Sequence, residues 1–431
     1  MRNSAELVAG RTSLELASSW PFGGYLWARA AAYLGFWAYV LVSALVMFDR
    51  TGSLAMVGLI TVVQFVPQFV ITPVSGILAD RGHVATQIVL GFVLVATGSG
   101  LLGVWILAVG AVDSLPGAWP VLLSSLVVGF GFAVGSASTA AVLPALVEPD
   151  ELGAAVALNS VPLMLARAIG PALGGVLAAT VGAAPACLAA AGLNLGCGLL
   201  LAFMRLPQRL GEEQDANTTM RRAVRYVARD RRLLMVMVGA AAVGYGAEPA
   251  VTLAPAIAER FGDVSRAGWV ASAFGAGGVL GLPLLGRVRR RLSHSSGAAL
   301  GLGFMGAGLV VVAAGSLPVV ALAGMTVAGV GMTVAYANLA TLVQELSPTQ
   351  LRGRITALWF LCWLGTRPLG ALVNGLLGDV AGAGWTLLAG AAVVFAVAFA
   401  CWSTWRIPTP GINLMINIDT RADALDTRHH D

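Results

Sequence analysis

Lysine is absent from this sequence of 431 residues, and charged residues of every kind are scarce. They make up 11% of the chain, whereas soluble proteins average about 25%. Residues of the AVILMFWYC set make up 58%, and the mean hydropathy is +0.83. So few charges cannot cover a surface that faces water, which excludes a soluble globular domain, a disordered chain and a coiled coil. The composition therefore predicts an integral membrane protein.

Residues that bind metals or act as nucleophiles are also few. No CxxC pair occurs among the four cysteines, which all lie in apolar stretches, so we expect buried thiols rather than disulfides or a zinc site. The four histidines lie outside the apolar stretches, no Ser/His/Asp or Cys/His constellation occurs, and there is no GxxxxGK[ST] loop for ATP. We therefore expect no enzyme activity, no cofactor and no metal. The cysteines and histidines are Cys187, Cys197, Cys362, Cys401, His83, His294, His429 and His430.

Long apolar runs are abundant. A helix that crosses a bilayer needs about 20 mostly apolar residues, and the runs are continuous rather than alternating as in an outer-membrane barrel. Twelve spans are predicted, at about 24–48, 54–78, 87–110, 119–146, 153–180, 184–204, 233–257, 267–286, 297–315, 318–342, 355–378 and 385–404.

The arginines are distributed very unevenly about these spans. Of the 26, 20 fall on the side of the termini and only Arg50, Arg260 and Arg266 on the other. Basic residues concentrate on the cytoplasmic side of membrane proteins, so both termini are predicted to be cytoplasmic and the pI of 9.4 does not indicate a nucleic-acid partner. Arginine without lysine in an alanine-rich chain is typical of a GC-rich genome, which favours a bacterial inner membrane.

The chain divides into two similar halves. Arg167-Ala-Ile-Gly170 aligns with Arg367-Pro-Leu-Gly370 at an offset of 200, and parallel repeats of this kind are typical of transporters. Between the halves, Met220–Arg232 carries apolar residues at helical spacing beneath a basic face, which predicts an amphipathic helix on the membrane surface. The predicted units are an N-terminal tail at 1–20, six-helix bundles at 21–208 and 232–406, a linker at 209–231 and a C-terminal tail at 407–431.

Three motifs resemble a known family. Gly76-Ile-Leu-Ala-Asp80-Arg81 resembles the signature loop of the major facilitator superfamily, and Gly170-Pro-Ala-Leu-Gly174-Gly175 resembles its antiporter motif. Gln344, Pro348 and Leu351-Arg-Gly-Arg354 are similar to the drug:proton antiporter branch that includes enterobactin and macrolide exporters. The resemblance implies an all-α fold of two pseudo-symmetric six-helix bundles, a monomer that exchanges a small-molecule substrate for protons across the lipid bilayer, and export by alternating access.

The motifs also have a direct physical interpretation. Asp80 lies at a helix end beside Arg81, where its charge could cap a neighbouring helix and lock one state of the halves. Gly170, Gly174 and Gly175 permit close helix approach and Pro171 can bend its helix, with or without a role in transport.

Intramembrane charge is expensive and marks candidate sites. Arg29 lies near the start of the first span, where its side chain can snorkel to the interface. Arg167 and Arg367 occupy equivalent positions in the two halves and could bind an anion or a carboxylate, or be held by backbone carbonyls. Glu248 is the one carboxylate well inside a span and is the candidate for proton coupling, unless it lies near the outer mouth or pairs permanently with an arginine. It could also attract a cationic substrate.

Polar and aromatic residues near the expected cavity are further candidates for substrate contacts: Tyr39, Gln64, Tyr245, Tyr336 and Asn338. An uptake symporter remains the nearest alternative to an exporter. A receptor or scaffold with a transporter fold is a second alternative.

Overall fold

Long α-helices form nearly all of the chain that the computed structural model describes, which is residues 13–148, 150–204 and 220–406. A short helix, α1 (Ser13–Ser18), precedes the first bundle. The helices of the N-terminal half are α2 (Phe22–Thr51), α3 (Leu54–Asp80), α4 (Val84–Val109), α5 (Trp119–Ala141), α6 (Leu152–Val181) and α7 (Ala183–Phe203).

The second half follows the linker helix α8 (Met220–Arg229) and repeats this order. Its helices are α9 (Arg231–Ala247), the short α10 (Pro249–Thr252) and α11 (Ala254–Glu259), then α12 (Ala267–Arg291), α13 (His294–Ala314), α14 (Pro318–Leu346) and α15 (Arg352–Arg406).

Eleven helical segments in the described residues are long and apolar enough to cross a membrane. The last, α15, has 55 residues, which corresponds to about 80 Å at 1.5 Å per residue and exceeds the roughly 30 Å of a bilayer core. Gly382 breaks it with φ of 81° and ψ of 159°. The two parts are separate spans, which gives the twelve that the sequence predicts.

The predicted seventh span, 233–257, is not one continuous helix. The structure ends α9 at Ala247 and restarts the helix twice, at Pro249 and Ala254. Pro249 and Pro255 lack a backbone N–H and cannot continue the hydrogen-bond ladder. The N–H of Glu248 instead donates to the carbonyl of Tyr245 at 3.2 Å. Glu248 therefore lies where the hydrogen-bond ladder of this span is interrupted, although its own backbone dihedrals, φ of −70° and ψ of −34°, stay helical.

The two halves pack in the same way. In the first half, α2 packs on α6 and α7, α3 packs on α5, and α4 packs on α5 and α7. In the second half, α9 packs on α15, α12 packs on α14, and α13 packs on α14 and α15. Between the halves, α3 packs against α15 and α6 against α12. These two contacts are related to each other by the same pseudo-symmetry as the bundles.

The segments outside the bundles are only partly described. In the predicted tail, Leu16 of α1 is fully buried against the first bundle. In the predicted linker, α8 buries Ala223 and Val227, and Asp230 caps α9 by accepting from the backbone N–H of Arg232 at 2.8 Å. Residues 205–219 and the C-terminal tail lie outside the described residues.

The halves meet closely at one end of the bundle. We call the end that carries α8 the linker end, and the other, where α3 begins, the far end. At the far end a Cβ on Gly268 would lie 2.6 Å from the carbonyl oxygen of Pro171 in the other half. Near the linker end, a Cβ on Gly76 or Gly153 would have no neighbour within 4 Å. The structure is thus closed at the far end.

Candidate functional site

An ion pair in the second half joins α15 to the residue that follows α9. Arg367 Nε of α15 donates to Glu248 Oε1 at 2.6 Å. The Glu248 side chain is 1% exposed and that of Arg367 16%. The second carboxylate oxygen, Oε2, is buried without a hydrogen-bond partner among the described residues. The carboxylate is buried and the guanidinium partly buried, and the pair is incompletely satisfied, so part of the cost of desolvating the carboxylate is not offset.

The second arginine of the interface, Arg167, has different surroundings. Its Cζ lies 5.2 Å from the ring centre of Trp37 in α2 and 5.1 Å from that of Phe274 in α12. It makes no hydrogen bond or ion pair with any described residue, and it is only partly covered. Arg367 has a corresponding position, because its Cζ lies 5.3 Å from the ring centre of Phe65 in the first half. Arg167, Arg367 and, through its ion pair, Glu248 thus lie where the halves meet, and we call these three residues the charged group.

The glycines of the antiporter-like motif are packing positions. A Cβ on Gly170 would lie 2.7 Å from Cβ of Trp37, and one on Gly174 would lie 2.6 Å from the carbonyl oxygen of Ala38, both in α2. Gly175 faces the other half, where a Cβ would lie 3.2 Å from Gly268 Cα. The motif thus brings α6 against both a helix of its own bundle and the partner bundle.

The segment after Gly170 also connects the halves directly. Pro171 has no N–H, and the next backbone N–H, that of Ala172, donates to Ser272 Oγ of α12 at 2.7 Å. The predicted role of Pro171 in bending α6 during transport stays a prediction.

Arg29 belongs to a separate cluster in the first half, and the prediction that it snorkels to the interface is wrong. The residue is 7% exposed. It donates to Asn159 Oδ1 and Tyr33 Oη, and its Cζ lies 5.1 Å from the ring centre of Tyr25. Partners on α6 and on its own helix hold the guanidinium inside the bundle, so it does not need to reach water.

The five predicted substrate-contact residues do not form one group. The Tyr39 hydroxyl is 3.1 Å from Ser125 Oγ and is buried inside the first bundle. Asn338 is fully buried between α14 and α13, where Nδ2 donates to the Val334 carbonyl and Oδ1 lies 3.1 Å from His294 Nδ1. These two side chains support helix packing.

The other three have different surroundings. Tyr245 is half-buried and packs against Gly370, one turn from Glu248. Gln64 is 7% exposed with Nε2 unpartnered, beside the Phe65 ring, whose centre is 5.3 Å from Arg367 Cζ. Tyr336 packs on Trp359 and Trp363 at centroid distances of 4.9 and 4.8 Å. Tyr245 thus lies beside the charged group, Gln64 is buried next to Phe65 in the chain, and Tyr336 belongs to an aromatic cluster in the second half.

The predicted gating loop lies at the linker end. Arg81 is exposed and Gly76 has open space beside it, so the structure places neither of them against the other half. The side chain of Asp80 lies outside the described part of the chain. Its proposed capping role stays a prediction.

Asp379, which was not predicted from the sequence, caps the N-terminus of a helix at the far end. Its carboxylate accepts from the N–H of Leu54 at 2.6 Å, from the N–H of Ala55 at 3.1 Å and from Ser53 Oγ at 2.6 Å. Asp379 therefore caps α3 from the other half. A signal existed, because Gly375-Leu-Leu-Gly-Asp379 repeats the glycine, leucine and aspartate spacing of Gly76-Ile-Leu-Ala-Asp80.

The aromatic walls of the site were also missed. Trp37, Phe65 and Phe274 lie in continuous apolar runs, where their sequence context does not distinguish them from other aromatic residues. Asn374 of α15 was missed as well, and it is fully buried with both amide atoms unpartnered among the described residues.

A family model described as transmembrane secretion effector matches residues 22–417. The chain belongs to this family. It is a multi-pass membrane protein and a transporter of the major facilitator superfamily. No curated protein sequence matches it.

Solved structures share the fold over nearly the whole chain. A bacterial homologue of the human lysosomal transporter Spinster, in an inward-facing and unoccupied conformation, has a TM-score of 0.71 at 14% identity and covers 91% of this chain and 100% of its own. A peptide transporter POT has a TM-score of 0.73 at 12% identity, covering 92% and 98%. A bacterial metal transporter has a TM-score of 0.64 at 16% identity, covering 89% and 97%. The predicted fold class is confirmed.

Proposed function

We propose that this transporter moves amphipathic small molecules by alternating access and that protons on Glu248 drive the movement. The observation that carries the proposal is the buried pair of Glu248 and Arg367 beside the contact between the halves. A proton on Glu248 removes the charge that holds Arg367 and leaves a partly buried guanidinium without its counter-ion. Because unpaired charge in this environment is costly, protonation favours rearrangement of the site.

The halves provide the moving parts. They are packed together at the far end, where Gly268 and Gly175 allow backbone contact. Rocking of one bundle against the other around a fixed central site is the general mechanism of this architecture. The charged group lies where the halves meet and is therefore placed to change its surroundings when they move.

Export by proton antiport is the first candidate for direction. Its support is the resemblance of Gly170–Gly175 and of Leu351–Arg354 to motifs of drug:proton antiporters, together with the cytoplasmic position that the arginine distribution predicts for both termini. In this scheme the protein is a monomer in a bacterial inner membrane and confers resistance to the molecules that it exports.

Proton cotransport is the second candidate, and the ion pair itself favours it. If a proton on Glu248 releases Arg367, the site gains positive charge at the moment the proton binds. Positive charge attracts an anionic substrate. Proton and substrate would then bind together and not compete.

The experiment is flux in proteoliposomes with an imposed pH gradient of either direction, using ethidium, erythromycin and 8-anilinonaphthalene-1-sulfonate as cationic, macrolide and anionic probes. Glu248→Gln should abolish acceleration by the gradient while exchange without a gradient persists, because the variant cannot release a proton. Glu259→Gln, which changes an exposed glutamate at the end of α11, is the matched control and should behave as the unmodified protein.

The results distinguish antiport from cotransport and test the role of Glu248. Acceleration when the probe and the proton move in opposite directions supports antiport, and acceleration when they move together supports cotransport. Gradient-driven flux that survives in Glu248→Gln contradicts the coupling role of Glu248. No flux of any probe contradicts the substrate class.

A further inference from the structure

Arg167 and Arg367 occupy equivalent places in two equivalent sites. Both lie three residues before a glycine on the helix that contacts the other half, Gly170 in α6 and Gly370 in α15. Gly170 packs against Trp37, and Gly370 packs against Tyr245 and the side chain of Glu248. The pseudo-symmetry of the bundles thus extends to the immediate neighbours of the two arginines.

The residues that contact the two arginines are also of similar chemical type. Each guanidinium lies over a phenylalanine of the other half, Phe274 for Arg167 and Phe65 for Arg367. In its own half, Arg367 contacts Glu248, which directly follows α9, whereas Arg167 contacts Trp37 of α2. Trp37 and Glu248 are 211 residues apart and Phe65 and Phe274 are 209 apart, close to the offset of the arginines. Trp37 therefore stands where the second site has a carboxylate.

The group consequently has one positive charge more than negative. Glu248 neutralises Arg367, and no described carboxylate contacts Arg167. A partly covered cation without a counter-ion is disfavoured inside a membrane protein, and the faces of Trp37 and Phe274 compensate only part of that cost. An anion beside Arg167 would supply the missing charge.

We propose that Arg167 binds the anionic group of the transported molecule and that the substrates are amphipathic organic anions. This inference rests on the proposed function, because it assigns the substrate class of the same site. The guanidinium offers up to five N–H donors in a planar fork that fits a carboxylate, sulfonate or phosphate group. None of these donors is used by a described residue, so binding an anion breaks no existing hydrogen bond.

The apolar part of the substrate would lie against the aromatic residues that surround Arg167. Trp37 packs edge-on against Phe36 at a centroid distance of 5.7 Å, and Phe36 packs on Phe132 at 5.6 Å. The Trp37 Nε1 atom is buried without a hydrogen-bond partner among the described residues, so it is a further donor if the ring turns. These rings favour a flat or bulky apolar body attached to a single anionic group.

An anionic substrate also fixes the sign of the coupling. Protonation of Glu248 leaves both arginines unneutralised and raises the positive charge of the group from one to two. Affinity for an anion then rises as the pH falls, so that the proton and the anion are expected to be carried together. This consequence links the substrate class to the second of the two directions proposed above.

The test compares two permanently charged probes with the same aromatic body, naphthalene-2-sulfonate and (2-naphthylmethyl)trimethylammonium, by calorimetric titration of the purified protein in detergent. The sulfonate should bind at least tenfold more tightly than the ammonium, since charge-assisted hydrogen bonds are among the strongest non-covalent contacts. Arg167→Gln should weaken sulfonate binding at least tenfold and leave ammonium binding unchanged. Arg167→Lys should lie between, because it keeps the charge and loses the fork.

The control is Arg266→Gln, which changes an arginine whose side chain is 53% exposed at the far end and should bind as the unmodified protein. Each variant is first checked for a monodisperse elution profile and a cooperative melt. If Arg167→Gln does not fold, the proposal is tested by Arg167→Lys and by comparing the two probes on the unmodified protein. Equal affinities, preference for the ammonium, no sulfonate binding, or full affinity in a folded Arg167→Gln would overturn the proposal.

Binding in detergent needs no gradient, so the two proposals can fail separately. Sulfonate binding that depends on Arg167, with no flux driven by a pH gradient, supports the anion site and rejects proton coupling. Gradient-driven flux of ethidium, with no sulfonate binding, supports coupling and rejects the anion site. A rise in sulfonate affinity at acid pH that is absent in Glu248→Gln supports the predicted sign.

Discussion

The cap that Asp379 places on α3 joins the two halves at the far end, and its removal should weaken that closure. Three groups of the first half donate to this carboxylate, the backbone N–H of Leu54 and Ala55 and the hydroxyl of Ser53. All three hydrogen bonds cross from one bundle to the other. They must break whenever the bundles separate at this end, so they stabilise only the state that is closed there.

The magnitude follows from the contacts. Replacement of a capping aspartate by alanine costs about 0.5–2 kcal/mol, and loss of a negative charge at a helix N-terminus costs about 0.3–1 kcal/mol. Together they give roughly 1–3 kcal/mol in favour of opening, which changes the ratio of the two states about 5- to 150-fold. Asp379→Asn keeps an acceptor oxygen and loses the charge, so its shift should be smaller.

The assay is the distance between spin labels at Val181 and Val319, two exposed far-end positions in different halves, measured by electron–electron double resonance in a background without native cysteines. In Asp379→Ala the longer distances should gain population, and in Asp379→Asn they should gain less. The control is Asp263→Asn at the same end, because Asp263 bonds to Ser265 and Arg266 of its own half.

An unchanged distance distribution in Asp379→Ala would refute the reasoning, since it would mean that the three hydrogen bonds do not favour the closed state. An equal shift in Asp263→Asn would also refute it, because the effect would then come from any loss of negative charge at this end.

Two further predictions concern the packing around the site. Gly268→Val should open the far end in the same assay, because its Cβ would lie 2.6 Å from the Pro171 carbonyl oxygen of the other half, whereas Gly303→Val, with no neighbour within 4 Å, should not. Tyr39→Phe should lower the free energy of unfolding by about 1–3 kcal/mol, because it leaves the buried Ser125 hydroxyl without its partner at 3.1 Å. Chemical denaturation measures the free energy of unfolding of Tyr39→Phe. Adding Ser125→Ala should recover part of the lost stability, because it removes the unpaired hydroxyl. A double variant as unstable as Tyr39→Phe alone would contradict this account.

The membrane class, the twelve spans and the division into halves could be predicted because they depend on composition and on local runs. A span needs only enough apolar residues in sequence, and the repeat of Arg167 and Arg367 at an offset of 200 is visible without coordinates. The break of the seventh span was missed. Its signal is Pro249, which the apolar composition of the surrounding residues concealed.

The candidate charges could also be chosen from the sequence, because ionised groups are rare in apolar segments. The residues that contact these charges could not be predicted from it. Arg367 contacts a glutamate 119 positions away, and Arg29 is held by Asn159, 130 positions away. Nothing in the local sequence separates an arginine that snorkels from one that is buried with partners on another helix.

The sequence by itself thus determined that the chain is a helical membrane protein of two repeated halves with three arginines and one glutamate inside the spans. Only the tertiary structure decided that Glu248 neutralises Arg367, that Arg167 has aromatic faces where its counterpart has a carboxylate, and that Asp379 caps a helix of the opposite half. Local hydrophobicity specifies each span independently. The environment of a buried charge depends on which helices pack together and in what register, and contacts across the whole chain set both.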